Sequence, residues 1–274
     1  MTFGDATALG LLQGIAEFLP ISSSGHLTLA GEWLEISEPP VATNLALHMA
    51  TLLVIVLAFR KKIWSLLFPL DVAYLKAIII TSIPTAILGL AIKKGAGDWF
   101  IDGRFSAMFL VFNGFGLIAL TLILRRREAP KAEGDVHPAD NLSGSGTPIS
   151  GSSIPSWKKA LVIGVVQGIA ALPGISRSGS TIGASRLMGI PAAQAAEYSL
   201  LASIPVIFGA ALLECRDLDQ FGDLSPLLWG SLVAVLSGWF AVGLLLKIVN
   251  KNAWMTWGFY CIGMGTLYGV FRYG

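Results

Sequence analysis

The chain has 274 residues, a formal net charge of +2, 54% hydrophobic residues and 13% charged ones. Soluble domains carry about 25% charged residues, so a mean hydropathy of +0.70 with so few charges argues against an ordinary cytosolic enzyme. Eight Trp and fourteen Phe exclude a disordered chain, and the small net charge gives no basis for nucleic-acid binding. Cys215 and Cys261 are too few for a disulfide framework and lack zinc-ligand spacing, so they read as small apolar filler.

The N-terminus has Asp5 where a secretory signal would be cationic, so no signal peptide is expected. Residues 6–16 then form a short apolar stretch that Glu17 interrupts. Uncharged runs follow at 41–59, 77–92 and 105–124. Residues 125–157 are polar, opening on Arg125-Arg126-Arg127 and continuing through a Pro/Gly/Ser-rich tract that holds His137; they read as a flexible loop. A second apolar stretch, 160–175, is broken by Pro173 and Gly174. Three more runs occupy 198–213, 224–246 and 253–271. A helix needs about 20 apolar residues to cross a bilayer. Six runs meet that length or reach it with their flanks, and the two interrupted stretches read as re-entrant segments.

The two interrupted stretches resemble each other. Gln13-Gly-Ile-Ala-Glu-Phe-Leu-Pro-Ile-Ser-Ser-Ser-Gly-His26 aligns with Gln167-Gly-Ile-Ala-Ala-Leu-Pro-Gly-Ile-Ser-Arg-Ser-Gly-Ser180, 154 residues later, and eight of 14 positions are identical. One interrupted segment and three spans per half is an odd number of crossings, which inverts the second half. The expected fold is therefore an all-α integral membrane protein with six transmembrane helices and two re-entrant hairpins in an inverted-topology repeat. Residues 1–124 form the first repeat, 125–157 a cytoplasmic loop and 158–274 the second repeat. Lys and Arg collect on the side of that loop, which places it inside and both termini outside.

Gln13 and Glu17 share a helix face at i, i+4 spacing. A carboxylate at membrane depth needs water, a partner or a metal, so Glu17 is a candidate functional residue. Ser22, Ser23, Ser24 and His26 follow the helix-breaking Pro20. A hydroxyl beside a histidine is the pattern of an activated nucleophile, and the same serines can cap the next helix. In the second copy Glu17 is replaced by Ala171, Ser23 by Arg177 and His26 by Ser180. Ser176-Arg177-Ser178-Gly179-Ser180-Thr181 reads as an anion cradle, because Arg binds phosphate oxygens in a planar fork and the hydroxyls add donors. It is not a Walker loop. Glu197, His48, Arg186 and Asn113 read as an interfacial acid, a core histidine, a surface charge and a helix–helix hydrogen bond.

The first motif resembles the signature of the undecaprenyl-diphosphate phosphatase family, integral-membrane enzymes linked to bacitracin resistance, and 173–181 is similar to that family's second signature. The resemblance covers nearly the whole chain. It implies hydrolysis of undecaprenyl diphosphate to the monophosphate and inorganic phosphate, recycling a lipid carrier of cell-wall assembly in the cytoplasmic membrane. The family's first acidic position accepts Glu or Gln, so Gln13 is a permitted variant that leaves one carboxylate fewer. On this reading Arg177, with Ser176, Ser178 and Thr181, holds the diphosphate. Ser23 is the expected nucleophile, with Ser22 and Ser24 as alternatives that otherwise bind substrate. His26 takes the proton of the attacking hydroxyl or water. Glu17 either orients His26 or holds a divalent cation, Mg²⁺ or Ca²⁺, with Gln13 as a neutral ligand. The site is expected to open outward. The alternative function is a polyprenyl-phosphate transporter or flippase, since inverted repeats and broken helices are that class's architecture. A homodimer is a permitted partner, though the Gly258 to Gly263 spacing is too loose to specify one.

Overall fold

The computed structural model describes residues 1–36, 41–100, 102–128, 154–214, 224–249 and 254–274. His137, Cys215 and most of the polar loop lie outside the described residues. The described residues form eleven α-helices and one 3₁₀ turn. In chain order the helices are α1 Phe3–Phe18, α2 Ser23–Trp33, α3 Val41–Ala58, α4 Arg60–Leu67, α5 Val72–Gly95 and α6 Gly103–Glu128, then α7 Trp157–Ile169, α8 Arg177–Leu187, α9 Ala192–Glu214, α10 Leu224–Ile248 and α11 Trp254–Tyr273.

Four of these, α5, α6, α9 and α10, are long and apolar enough to cross a membrane, and α3 joined to α4 across a 70° bend makes a fifth. The chain is an integral membrane protein. The six-span count is one too many by this measure, because α11 is rich in Gly, Trp and Tyr, which dilute its aliphatic content. Helix α5 extends well past the run at 77–92, and α9 past that at 198–213. The polar loop starts later than expected. Arg125, Arg126 and Arg127 form the last turn of α6, where cations meet the negative end of the helix dipole.

The two halves pack by exchange. Helix α1 lies along α10 of the other half, and α7 lies along α5 of the first; α6 pairs with α11, and α3 touches α9. Small residues permit the close approach. A Cβ on Gly10 or Gly14 would collide with the backbone of Gly230 and Ala234, and one on Gly164 or Gly168 with Thr81 and Leu88. These glycines stand 154 residues apart, so the repeat duplicates the packing surface as well as the motif. A hydroxyl bond across the helix pair recurs too: Thr85 donates to the Gly164 carbonyl at 3.0 Å and Ser237 to the Gly10 carbonyl at 3.4 Å. In lipid, where burial of apolar surface gives no drive between helices, such contacts and hydrogen bonds hold a bundle together.

Candidate active site

The first hairpin breaks after Phe18, where Leu19 turns extended and Pro20 follows. Ser22 restarts the chain as N-cap of α2, accepting the Gly25 N–H at 3.4 Å. Its φ is 69°, a left-handed conformation that a side chain rarely adopts and that marks a constrained position. The second hairpin turns at Gly174, φ 96°, and Ser176 caps α8 by accepting the Gly179 N–H at 3.1 Å. The two tips then meet. A Cβ on Gly25 would lie 2.7 Å from Gly174 Cα, and one on Gly179 3.0 Å from Pro20 Cβ. The 154-residue repeat interchanges these two contacts, because it maps Gly25 onto Gly179 and Pro20 onto Gly174.

Hydrogen bonds fasten the tips across this junction. The Gly174 N–H donates to Ser22 Oγ at 3.1 Å, and Ser178 Oγ donates to the Leu19 carbonyl at 3.3 Å. Asn113 of α6 reaches both tips: Nδ2 donates to the Pro20 carbonyl at 3.1 Å, and Oδ1 accepts the Ser176 N–H at 3.0 Å. Thr181 is buried, donating to the Arg177 carbonyl at 2.8 Å and touching the Ser199 hydroxyl.

Glu17 is the hub. Its side chain is buried, and its Oε1 is bonded by Arg177 Nη2 from the other tip. Its Oε2 accepts Ser23 Oγ–H at 2.6 Å and an N–H of Gln13 at 3.2 Å. His48 Nδ1 stands 3.7 Å from the same oxygen and 3.0 Å from Gln13 Nε2. The amide nitrogen also lies 3.3 Å from Thr51 Oγ1. Carboxylate oxygens only accept, so Gln13 must present its N–H side here. Its Oε1 is buried with no partner among the described residues. Burying a carboxylate is costly without a partner; Arg177 supplies the opposite charge, and two neutral donors satisfy the remaining lone pairs.

His26 faces elsewhere. Its Nδ1 lies 2.8 Å from the Ser22 carbonyl and its Nε2 2.9 Å from the Tyr260 hydroxyl. A carbonyl can only accept, so Nδ1 carries the proton and Nε2 accepts from Tyr260. The two rings are nearly parallel, 4° apart, with centroids separated by 5.6 Å. Leu29, Trp33, Met264 and Tyr268 line a groove of about 270 Å³ that has His26 and Tyr260 on its wall.

The fit to a divalent cation is poor. The donors are one carboxylate, already neutralised by Arg177, and an amide that turns its nitrogen toward that carboxylate. Among the described residues no group of three or more His, Cys, Asp or Glu side chains could hold a metal ion. Ca²⁺ takes about six to eight oxygen ligands, so these residues do not fit a cation held by the chain alone.

Two motif-bearing tips joined by a Glu–Arg pair across an internal repeat is a specific arrangement, and residues 6–267 match the family described as bacitracin resistance protein BacA. The chain belongs to that family. A protein of Treponema denticola named undecaprenyl-diphosphatase is 32% identical over 293 aligned positions, covering 100% of this chain and 99% of its own. Proteins of the same name from Halothermothrix orenii and Desulfosudis oleivorans are 35% and 36% identical, each alignment covering 94% of both chains.

Of the residues singled out in the sequence of this BacA-family chain, the structure gathers Gln13, Glu17, Ser23 and Arg177 into one cluster. Ser22, Ser176, Ser178 and Thr181 hold backbone at the tips rather than presenting free hydroxyls. Ser24 is half-buried, and its hydroxyl is 3.5 Å from that of Ser22. The expectation that Glu17 orients His26 does not hold, because His26 uses both nitrogens on Ser22 and Tyr260. Glu197 pairs with Lys62 at 3.1 Å. Asn113 makes a helix–helix contact, to the Cys261 sulfur of α11 at 3.4 Å, and in addition bonds both hairpin tips. His48, read as a core histidine, bonds a neighbour, Gln13; sequence reasoning missed Thr51, which also meets Gln13, and Tyr260, which meets His26. Their one signal was a polar side chain within an uncharged run, and such a residue is equally consistent with a helix–helix hydrogen bond.

Proposed function

We propose that the chain hydrolyses undecaprenyl diphosphate to the monophosphate and inorganic phosphate, recycling the lipid carrier of envelope glycan synthesis. The relatives named above carry that activity in their name. The observation that carries the reading is the cluster in which Ser23 Oγ donates to Glu17 while Arg177, from the other tip, neutralises the same carboxylate.

In the proposed reaction Arg177 binds the terminal phosphoryl group. Nη2 serves Glu17, and the other guanidinium donors remain for phosphate oxygens. Ser23 Oγ attacks the terminal phosphorus, and its proton passes to Glu17 Oε2, 2.6 Å away. The Oγ–P bond forms as the bond from that phosphorus to the bridging oxygen breaks, and the electron pair leaves with polyprenyl monophosphate. Water then attacks the phosphoserine, the Oγ–P bond breaks, and Ser23 Oγ takes back the proton held by Glu17 as inorganic phosphate leaves. We assign His26 to this second step: Nε2 is its basic atom, and water entering by the groove would take the place of the Tyr260 hydroxyl there. Charge on the transferring group spreads over its oxygens, so positioning and a fixed cation supply most of the catalysis. We propose that a divalent cation, Mg²⁺ or Ca²⁺, enters bound to the diphosphate rather than waiting in a cage of side chains.

We further propose the inverted-repeat architecture, with α1–α2 and α7–α8 as re-entrant hairpins and α11 as the sixth span. The exchanged packing of α1 on α10 and α7 on α5 supports it. Charge supports an orientation in the cytoplasmic membrane. Contacts of Arg127 with Leu187, Arg186 with Val249 and Lys62 with Glu197 gather one end of the bundle, rich in Lys and Arg. The other end gathers Glu32, Gly103 and Tyr273. The cationic end belongs in the cytoplasm. The groove beside His26 extends to Trp33 and Tyr268, next to Glu32, so the site opens outward and the prenyl tail has an apolar path. Both tips come from one chain, so this chemistry needs no second copy, and Gly258 is already packed on Gly114 within the protomer.

The test is phosphate release from C55 polyprenyl diphosphate by the purified protein in detergent. Release is expected. Its absence, with labelled polyprenyl phosphate still crossing liposomes, would replace this reading with the transporter.

A further inference from the structure

A helical break leaves backbone groups without partners, and two such groups face each other across this junction. The Pro20 carbonyl lies at the break of the first hairpin. The Ser176 N–H sits at the N-cap of α8, where a helix has no internal acceptor to offer. One is an acceptor and the other a donor. Only a side chain that both donates and accepts can serve them together, and a primary amide does so. Asn113, buried in the middle of α6, makes both bonds, at 3.1 and 3.0 Å. A polar side chain in a membrane helix is costly unless bonded, and these two bonds satisfy it.

The consequence lies within three residues of each bond. Ser176 precedes Arg177, and the Pro20 turn separates Glu17 from Ser23. Asn113 therefore spans the two backbones whose spacing sets how Arg177 meets Glu17 and the phosphoryl group. The direct bonds between tips, Gly174 to Ser22 and Ser178 to Leu19, fix the approach of the breaks themselves. Asn113 adds an outside reference, a long helix against which both tips are registered. We propose that Asn113 is a positioning residue that sets the register of Arg177 against the Glu17–Ser23 pair by bonding both hairpin tips at once.

This inference rests on the phosphatase reading, and its test separates the two. Asn113→Ala removes both bonds. Kinetics on C55 diphosphate should show kcat/KM falling about 100-fold, the scale of a misplaced catalytic group. Binding of inorganic pyrophosphate, a probe of the diphosphate cradle that needs no turnover, should weaken in parallel. On an Arg177→Ala background the same substitution should cost less than about threefold, because residues acting through one unit are not additive. Cys261→Ala, which removes the sulfur contacts to Asn113 and to the Pro20 carbonyl and leaves both Asn113 bonds to the tips, should stay at the wild-type level. If Asn113→Ala does not accumulate as folded protein, Asn113→Ser, too short to reach both tips, gives the same comparison. A full additional loss on the Arg177→Ala background, or unchanged pyrophosphate binding and kcat/KM, overturns the proposal. A wild-type protein that binds pyrophosphate through Asn113 and releases no phosphate overturns the phosphatase reading instead.

Discussion

The two hairpin tips share a scaffold and differ in chemistry. Ser22 and Ser176 both cap a helix by accepting from the glycine three residues on. Gly10 and Gly14 do on α10 what Gly164 and Gly168 do on α5. Gln13 and Gln167 both bury an Oε1 that has no partner among the described residues. The copies differ at six of the 14 positions, and three of these bear polar chemistry: Glu17 against Ala171, Ser23 against Arg177, His26 against Ser180. The two copies share the capping serines and the packing glycines, while the first tip carries an acid and a hydroxyl where the second carries a cation. The cation is useful only because the tips meet, since its partner Glu17 lies on the other copy.

Substitutions can break that division of labour. Ser23→Ala removes the proposed attacking oxygen and should lower kcat at least about 10⁴-fold, the scale of losing a nucleophile, while Ser24→Ala stays within about tenfold on the same scale of turnover. Phosphate release per mole of folded protein decides between them. Arg177→Ala should cost about 10³-fold in kcat/KM, with Arg177→Lys recovering part, since Lys keeps the charge and loses the planar fork. It also leaves Glu17 buried without a counter-charge, at a cost of about 3–5 kcal/mol of stability, visible as a drop in melting temperature. Ala171→Glu gives the second tip the acid it lacks. The position facing it by symmetry holds Ser23 rather than Arg, so the new carboxylate has no cation. A loss of about 2–3 kcal/mol, the cost of an acid at membrane depth, with activity per folded molecule unchanged, is the expected outcome; a gain of activity would contradict the comparison. Gln13→Glu is the mildest. It restores a second carboxylate beside Glu17, and turnover should stay within about threefold while becoming more sensitive to EDTA than the wild type, as an added oxygen ligand favours a bound cation.

Much of this was legible before the structure. The repeat located both tips, and the break at Pro20 marked the serines after it as caps of the next helix. The span lengths revealed an integral membrane protein, although α11 is less apolar than the count assumed and α3 bends by 70° into α4. Two things were not legible. Sequence spacing describes neighbours along one helix, so the Glu17–Arg177 pair, 160 residues apart, could be expected only as a shared substrate site and not as a direct ion pair. The orientation of His26 was also hidden, because proximity in sequence suggested Ser23 and Glu17 as its partners. The backbone of α2 turns it instead toward Tyr260, on a helix 234 residues away. Asn113 and His48 were visible as polar residues in apolar runs, but a single chain does not say which neighbour such a residue meets.

The central claim is that acid and cation from opposite copies act as one unit. Phosphate release from C55 polyprenyl diphosphate by Glu17→Gln, Arg177→Gln and the double variant, each normalised to folded protein, tests it most directly. The account predicts that the double variant is no slower than the slower single variant. Losses that multiply would mean that the two tips contribute independently and that the pair joining them is not the catalytic unit.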